Sequence, residues 1–160
     1  MNQNFWKNKN VMITGSKGFI GSHLVKELQK RKANVIQIKK QTSFTMLKLI
    51  IKLNNIQYIF HLGAQSQVGK AIENPNETFK KNIKGTWDIL ETARQTNVKR
   101  IIIASTDKVY GEGLNKKETD PLNAINPYDV SKVAVDKLAQ SYISTYNMNI
   151  VITRFCNVYG

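Results

Sequence analysis

Asn10-Val11-Met12-Ile13-Thr14-Gly15-Ser16-Lys17-Gly18-Phe19-Ile20-Gly21 reads as a strand, a glycine turn and the opening of a helix. Residues 11–13 are apolar with no polar alternation, the pattern of a strand covered on both faces. Over 19–32 the apolar residues return instead at Ile20, Leu24 and Leu28, the spacing of one helix face. The same alternation repeats outward from this stretch. Further strands are predicted at 34–38, 57–61, 99–105 and 149–155. Thr42 or Ser43 caps a short second helix with Leu47, Ile50 and Ile51 inward. A third carries Phe79, Ile83, Trp87, Leu90 and Ala93 on one face, and the last spans 127–146. Five strands joined by four crossovers predict an α/β fold, a doubly wound parallel sheet flanked by helices. In such sheets ligands lie beyond the carboxyl ends of the strands, so the residues that follow strands are the ones to read for chemistry.

The 160 residues, 41% hydrophobic and 22% charged, suit one globular domain without metal or disulfide staples, and no metal ligand set is assigned. Cys156 is the single cysteine, and no apolar run approaches the roughly 20 residues of a spanning helix. A cytoplasmic location with no membrane partner is therefore expected. The net charge of +13 is uneven: residues 1–60 hold 11 basic residues and one acid, residues 61–160 hold 13 and 10. No block of five like charges, aromatic stacking platform or nucleic-acid motif accompanies them, so they read as solvated surface with no nucleic-acid partner.

Gly15, Gly18 and Gly21 form a G-x-x-G-x-x-G spacing between the first strand and helix, with Ser16, Lys17, Phe19 and Ile20 between them. Such glycines let the chain turn, let a pyrophosphate approach the backbone, and bring helix and strand together. The phosphates then meet the helix's first N–H groups and the positive end of its dipole. This predicts dinucleotide binding through residues 15–21. An acid usually follows about 20 residues later to hold the ribose 2′-hydroxyl. Lys39 and Lys40 occupy that place, and no acid occurs between Glu27 and Glu73. Lys39 and Lys17 either receive the 2′-phosphate of NADP or are surface lysines, so the cofactor reads as NAD or NADP.

After the fourth strand comes Ser105-Thr106-Asp107-Lys108-Val109-Tyr110-Gly111, and the last helix opens Pro127-Tyr128-Asp129-Val130-Ser131-Lys132. Residues four apart share a helix face. The Lys132 ammonium is therefore expected beside the Tyr128 phenol, lowering its pKa toward working pH. A phenolate aimed at a substrate hydroxyl is a general base, and Thr106 would orient that hydroxyl.

Together these residues resemble the extended short-chain dehydrogenase/reductases of the NAD-dependent epimerase/dehydratase type, which act on nucleotide sugars. The resemblance spans the chain: 14–21, His61-Leu62-Gly63-Ala64, Asn82-Ile83-Lys84-Gly85-Thr86, 105–111, 128–132 and Arg154-Phe155-Cys156-Asn157-Val158-Tyr159-Gly160 stand in the family's order. Thr106-Asp107-Lys108, with Phe5-Trp6-Lys7 before the first strand, is most similar to the subgroup that dehydrates CDP-glucose or a similar sugar nucleotide; many 4,6-dehydratases carry Asp-Glu there, and epimerases small residues. The resemblance implies a Rossmann-like cofactor domain over 1–160, with Leu62, Gly63, Ala64, Tyr128 and Lys132 against the cofactor and Ser105, Thr106 and Asn157 against a nucleotide-sugar substrate. It assigns Tyr128 as the base at the sugar 4-hydroxyl, Asp107 as the acid at the 6-hydroxyl and Lys108 as, or assisting, the base at C5. A homodimer through the third and last helices is implied too.

Two departures are evident. Residues 39–58 are too few for the family's extra strand and adenine-contacting Asp, so the sheet is expected to end at the second strand. The chain also lacks the family's C-terminal substrate-binding region, so it is expected to be a truncated fragment with an open pocket and little turnover. Rival readings are a 4-epimerase or reductase on the same scaffold, and a nonenzymatic dinucleotide-binding module or decayed remnant.

Overall fold

Five parallel strands lie side by side in the order β2-β1-β3-β4-β5: β1 (Asn10–Thr14), β2 (Asn34–Ile38), β3 (Tyr58–His61), β4 (Arg100–Thr106) and β5 (Ile150–Phe155). The computed structural model describes residues 5–38 and 42–159. Lys39, Lys40 and Gly160 therefore lie outside the described residues. The helices are α1 (Phe19–Lys30), α2 (Phe44–Leu53), α3 (Val68–Glu73), α4 (Pro75–Phe79), α5 (Gly85–Thr96) and α6 (Pro127–Tyr146). As expected, the doubly wound sheet ends at β2. The chain leaves β1 toward β2 and leaves β3 the other way, so the switch point lies between the carboxyl ends of β1 and β3, where Thr14 pairs with His61.

Alternate strand residues feed two layers. Met12, Ile59, Ile101, Ile103 and Ile150 pack under α2, α5 and α6, together with Leu47, Ile51, Leu90, Val135 and Ala139. Val11 and Ile13 pack under α1 with Val25 and Leu28, and Trp6, Tyr58 and Phe60 extend that layer. Trp6 sits edge-on to Phe5 and Tyr58 at ring-centroid distances of 4.9 and 5.3 Å. Phe5 and Trp6 thus cover the outer end of β3. Helices do not cover both faces along the whole sheet, contrary to the expectation from apolar β4. Ile102 and Ala104 are only half-buried and Val151 on β5 is 42% exposed.

Ser43 caps α2, accepting the Met46 N–H at 3.3 Å. The third predicted helix is built differently. It comprises α4, a π turn at Lys80–Lys84 and α5. The wide turn rotates the buried face onto Thr78, Asn82, Thr86, Ile89, Leu90 and Ala93 and leaves Trp87 51% exposed. Leu90 and Ala93 of the predicted face are buried and Phe79 and Ile83 half-buried; Trp87 departs from it because polar Thr78, Asn82 and Thr86 take buried positions. Among the described residues, no helix is long and apolar enough to cross a membrane.

Candidate active site

Gly15 has φ +69°, and a Cβ there would lie 2.7 Å from both the Gly63 nitrogen and the Leu62 carbonyl carbon. A Cβ at Gly21 would lie 2.1 Å from the Gly15 oxygen. The turn therefore lies hard against the end of β3 and against its own helix. Gly18 is the N-cap of α1 and brings no side chain to the helix's first N–H groups. Ser16 is buried, whereas Lys17 and Phe19 are exposed. Leu62 and Gly63 are half-buried beside the turn, and Gly63 donates its N–H to Thr14 Oγ1 at 3.0 Å. This cradle fits a pyrophosphate: it has backbone donors, a helix dipole and no side chain in the way.

At the end of β4 the chain enters a 3₁₀ turn, Asp107–Tyr110, opposite the start of α6. Asn126 caps α6 by accepting the Asp129 N–H at 3.0 Å, and Pro127 occupies the first turn, where no intrahelical donor is lost. This fixes Tyr128 over the end of β4, with its phenol facing the Thr106 hydroxyl. Thr106 donates to Asp107 Oδ1 at 3.1 Å. Asp107 and Lys108 are exposed, while Thr106, Tyr128 and Lys132 are buried. The Ser105 hydroxyl is buried with no hydrogen-bond partner among the described residues. Thr106, Asp107, Lys108, Tyr128 and Lys132 thus gather where β4 meets α6. Asn157 lies past β5, exposed, and among the described residues no hydrogen bond joins it to them. Val158 beside it lines a shallow apolar hollow with Phe19, Ile20, His23 and Leu24 of α1.

The electrostatics correct one expectation. The Tyr128 phenol is held above its ordinary value: burial dominates, the Asp129 charge adds to it, the Thr106 hydrogen bond opposes it, and Asp107 raises it further. Lys132 shares its helix face but sends Nζ to the Ala104 carbonyl at 2.8 Å. Burial lowers Lys132 to about 8, against the raising effect of the Asp136 carboxylate. Spacing put the two residues on one face; the depth of each side chain decided its charge.

Several residues of the site carried no assigned role in the sequence reading. Asp129 is buried beside Tyr128, its carboxyl raised mainly by burial. His61, which entered only as part of a family motif, is buried at the switch point between Thr14 and Thr86. Burial, then the Lys132 charge, lowers it from 6.5 to about 3. Below pH 6.5 the unfolded chain takes up a proton on this histidine that the folded chain refuses until about pH 3. Its contribution to stability is therefore full above 6.5 and lost progressively as pH falls. Denaturant unfolding at pH 7 and pH 5 is expected to show a loss of about 2 kcal/mol from this group, absent in His61→Asn. Equal losses in both proteins would show that the folded imidazole protonates normally.

The model of the NAD dependent epimerase/dehydratase family matches residues 11–160. The chain belongs to that family. Human dTDP-D-glucose 4,6-dehydratase is 31% identical over 181 residues, 95% of this chain and 52% of the relative. Among solved structures, the UDP-glucose 4-epimerase of Thermotoga maritima with UDP-glucose is similar at TM-score 0.88 and 29% identity, covering 94% of this chain and 56% of that one. A dTDP-glucose 4,6-dehydratase of Streptomyces venezuelae with NAD and TYD bound is similar at TM-score 0.86, with the same identity and coverage. The chain spans about half the length of the curated relatives it matches. These family members are named for dTDP- and UDP-glucose, not CDP-glucose, and for both reactions. The kinship therefore supports the epimerase/dehydratase family as a whole and not the CDP-glucose subgroup.

Proposed function

We propose that this chain is the cofactor-binding portion of a nucleotide-sugar 4,6-dehydratase that uses NAD or NADP. The observation that carries the reading is the side-chain set at the end of β4: an acid, Asp107, and a base, Lys108, exposed beside buried Thr106 and Tyr128. A 4-epimerase needs only a proton acceptor and an orienting hydroxyl at C4; elimination of water across C5 and C6 needs two further proton-transfer groups. When bound, the nicotinamide supplies reversible hydride transfer at the sugar. Tyr128 would take the 4-hydroxyl proton as phenolate, a form that burial and the Asp129 charge disfavour in the chain without cofactor, with Thr106 orienting that oxygen. The resulting 4-keto group makes the C5 hydrogen acidic. Lys108 would remove it as Asp107 protonates the departing 6-hydroxyl, leaving a C5–C6 double bond; return of the C4 hydride to C6 and of a proton to C5 would then give the 4-keto-6-deoxy sugar with the cofactor unchanged overall.

The Streptomyces relative's bound NAD and the glycine cradle support the cofactor, and exposed Lys17 keeps NADP as an alternative. The relatives' names support a dTDP- or UDP-glucose substrate, with CDP-glucose a third choice. A 4-epimerase is the second reading, favoured by the likeness to the Thermotoga enzyme. Exposed Trp87 on α5 and Ile143 on α6 support the homodimer.

The test is to supply the NAD-loaded complete enzyme, of which this chain is the proposed cofactor-binding portion, with each of the three nucleotide sugars and identify the product. A 4-keto-6-deoxy sugar is expected, and Asp107→Asn or Lys108→Met should each slow its formation about a hundredfold or more. A 4-epimer as the sole product would establish the second reading, and failure to bind NAD or NADP would remove both.

A further inference from the structure

One buried polar path joins the two halves of the site, and its proton positions follow from counting donors. Thr86 Oγ1 donates to the Asn82 carbonyl at 2.6 Å, which uses its one hydrogen. It can therefore only accept from His61 Nε2, 3.0 Å away, so that nitrogen carries the proton. His61 Nδ1 is then an acceptor, and Thr14 Oγ1 donates to it at 2.7 Å. Thr14 in turn accepts the Gly63 N–H, whose residue abuts Gly15. On the other side, the Asn82 side chain accepts from the Gln65 N–H at 2.7 Å and donates to the Gln65 carbonyl and to Ser131 Oγ, each at 2.9 Å. Ser131 Oγ donates to the Tyr128 carbonyl at 2.6 Å. Thr14, His61, Asn82, Thr86 and Ser131 are all buried, between 0% and 8% exposed.

Apolar side chains would fill this space without the desolvation cost of five polar ones. What a fully satisfied polar path adds is a single geometry. We propose that His61 is a positioning residue of the dinucleotide site: its neutral, tautomer-fixed imidazole ties the glycine turn to the opening of α6. The π turn at Lys80–Lys84 belongs to the same device, because it brings Asn82 inward to reach both Gln65 and Ser131. The turn that holds the pyrophosphate and the helix that carries Tyr128 are then held at one separation. This proposal rests on the cofactor reading above. An error of about 1 Å in that separation is enough to cost a site about a hundredfold.

Glutamine and asparagine at position 61 separate the two links. His61→Gln places an amide near the Nε2 position and loses the acceptor toward Thr14; His61→Asn keeps an acceptor near Nδ1. NAD affinity is measured by titrating the chain at a temperature where each variant is fully folded, with unfolding free energy measured in parallel. His61→Gln, which loses the link to Thr14, and His61→Asn, which loses the link to Thr86, are each expected to weaken NAD about tenfold, equivalent to about 1.4 kcal/mol. If the position 61 variants do not fold, Thr86→Val is expected to show the same tenfold loss and Thr86→Ser to restore binding. Variants that lose stability yet bind NAD like the unsubstituted chain overturn the positioning role and leave the cofactor reading intact. No NAD binding by the unsubstituted chain overturns the cofactor reading, and the positioning role with it.

Discussion

Gly21→Ala is expected to abolish measurable dinucleotide binding, because the added carbon would lie 2.1 Å from the Gly15 oxygen, 2.8 Å from the Gly15 carbonyl carbon and 2.9 Å from Ser16 Cα. All three are backbone atoms of the turn itself, so no side chain can swing aside. Either α1 withdraws from β1 or the turn opens, and both displace the N–H groups that would meet the pyrophosphate. Overpacking of this kind costs about 1–3 kcal/mol of stability, and the displaced donors should weaken NAD about a hundredfold or more. Gly85→Ala is the matched control. A Cβ at Gly85 meets nothing within 4 Å. It stands in the first turn of α5, where alanine is the better helix former by up to about 1 kcal/mol. Gly85→Ala should bind NAD unchanged and unfold no more easily. NAD titration and denaturant unfolding of the two variants check both statements, and a Gly21→Ala protein with normal affinity would exclude the glycine cradle as the phosphate site.

The strands were legible almost to the residue because burial leaves a strong mark: 11–13 and 101–104 are unbroken apolar runs between polar ends. The glycine turn was legible because its spacing occurs between a strand and a helix. The polar part of the buried face that runs from α4 through the π turn into α5 was not, since Thr78, Asn82 and Thr86 are buried through hydrogen bonds that hydrophobic period cannot register. The Tyr128–Lys132 spacing gave their shared helix face. It could not give the pKa directions, because these depend on how deeply each side chain lies and on Asp129 and Asp136, whose burial is a tertiary property. The role of His61 needed two residues far from it in sequence, 47 and 25 positions away.

Asp136→Ala is expected to be the most destabilising single substitution around β4 and β5. Asp136 is fully buried, one helical turn beyond Lys132, and accepts Arg154 Nε at 2.7 Å across the gap between α6 and β5. The Arg154 side chain is 17% exposed. It also donates to the Tyr110 hydroxyl at 2.5 Å and to the Glu118 carbonyl at 3.1 Å, and lies 4.9 Å from the Tyr110 ring centroid. One carboxylate thus offsets buried Lys132 and half-buried Arg154 and, through Arg154, holds the far end of the 3₁₀ turn that carries Asp107 and Lys108. Removing one partner of a buried pair strands the other charge, at a cost of about 3–5 kcal/mol. That is a large part of the 5–15 kcal/mol, roughly, that keeps a domain folded. Because the Asp136 charge raises Lys132, whose pKa already lies near 8, its loss should also leave that amine partly neutral at pH 7. Replacing both partners, Asp136→Leu with Arg154→Met, removes the stranded charge and should recover much of the stability while leaving Tyr110 unanchored. Denaturant unfolding of the single and double variants separates these effects: a loss below about 1 kcal/mol in Asp136→Ala would mean that water already reaches the pair and screens it.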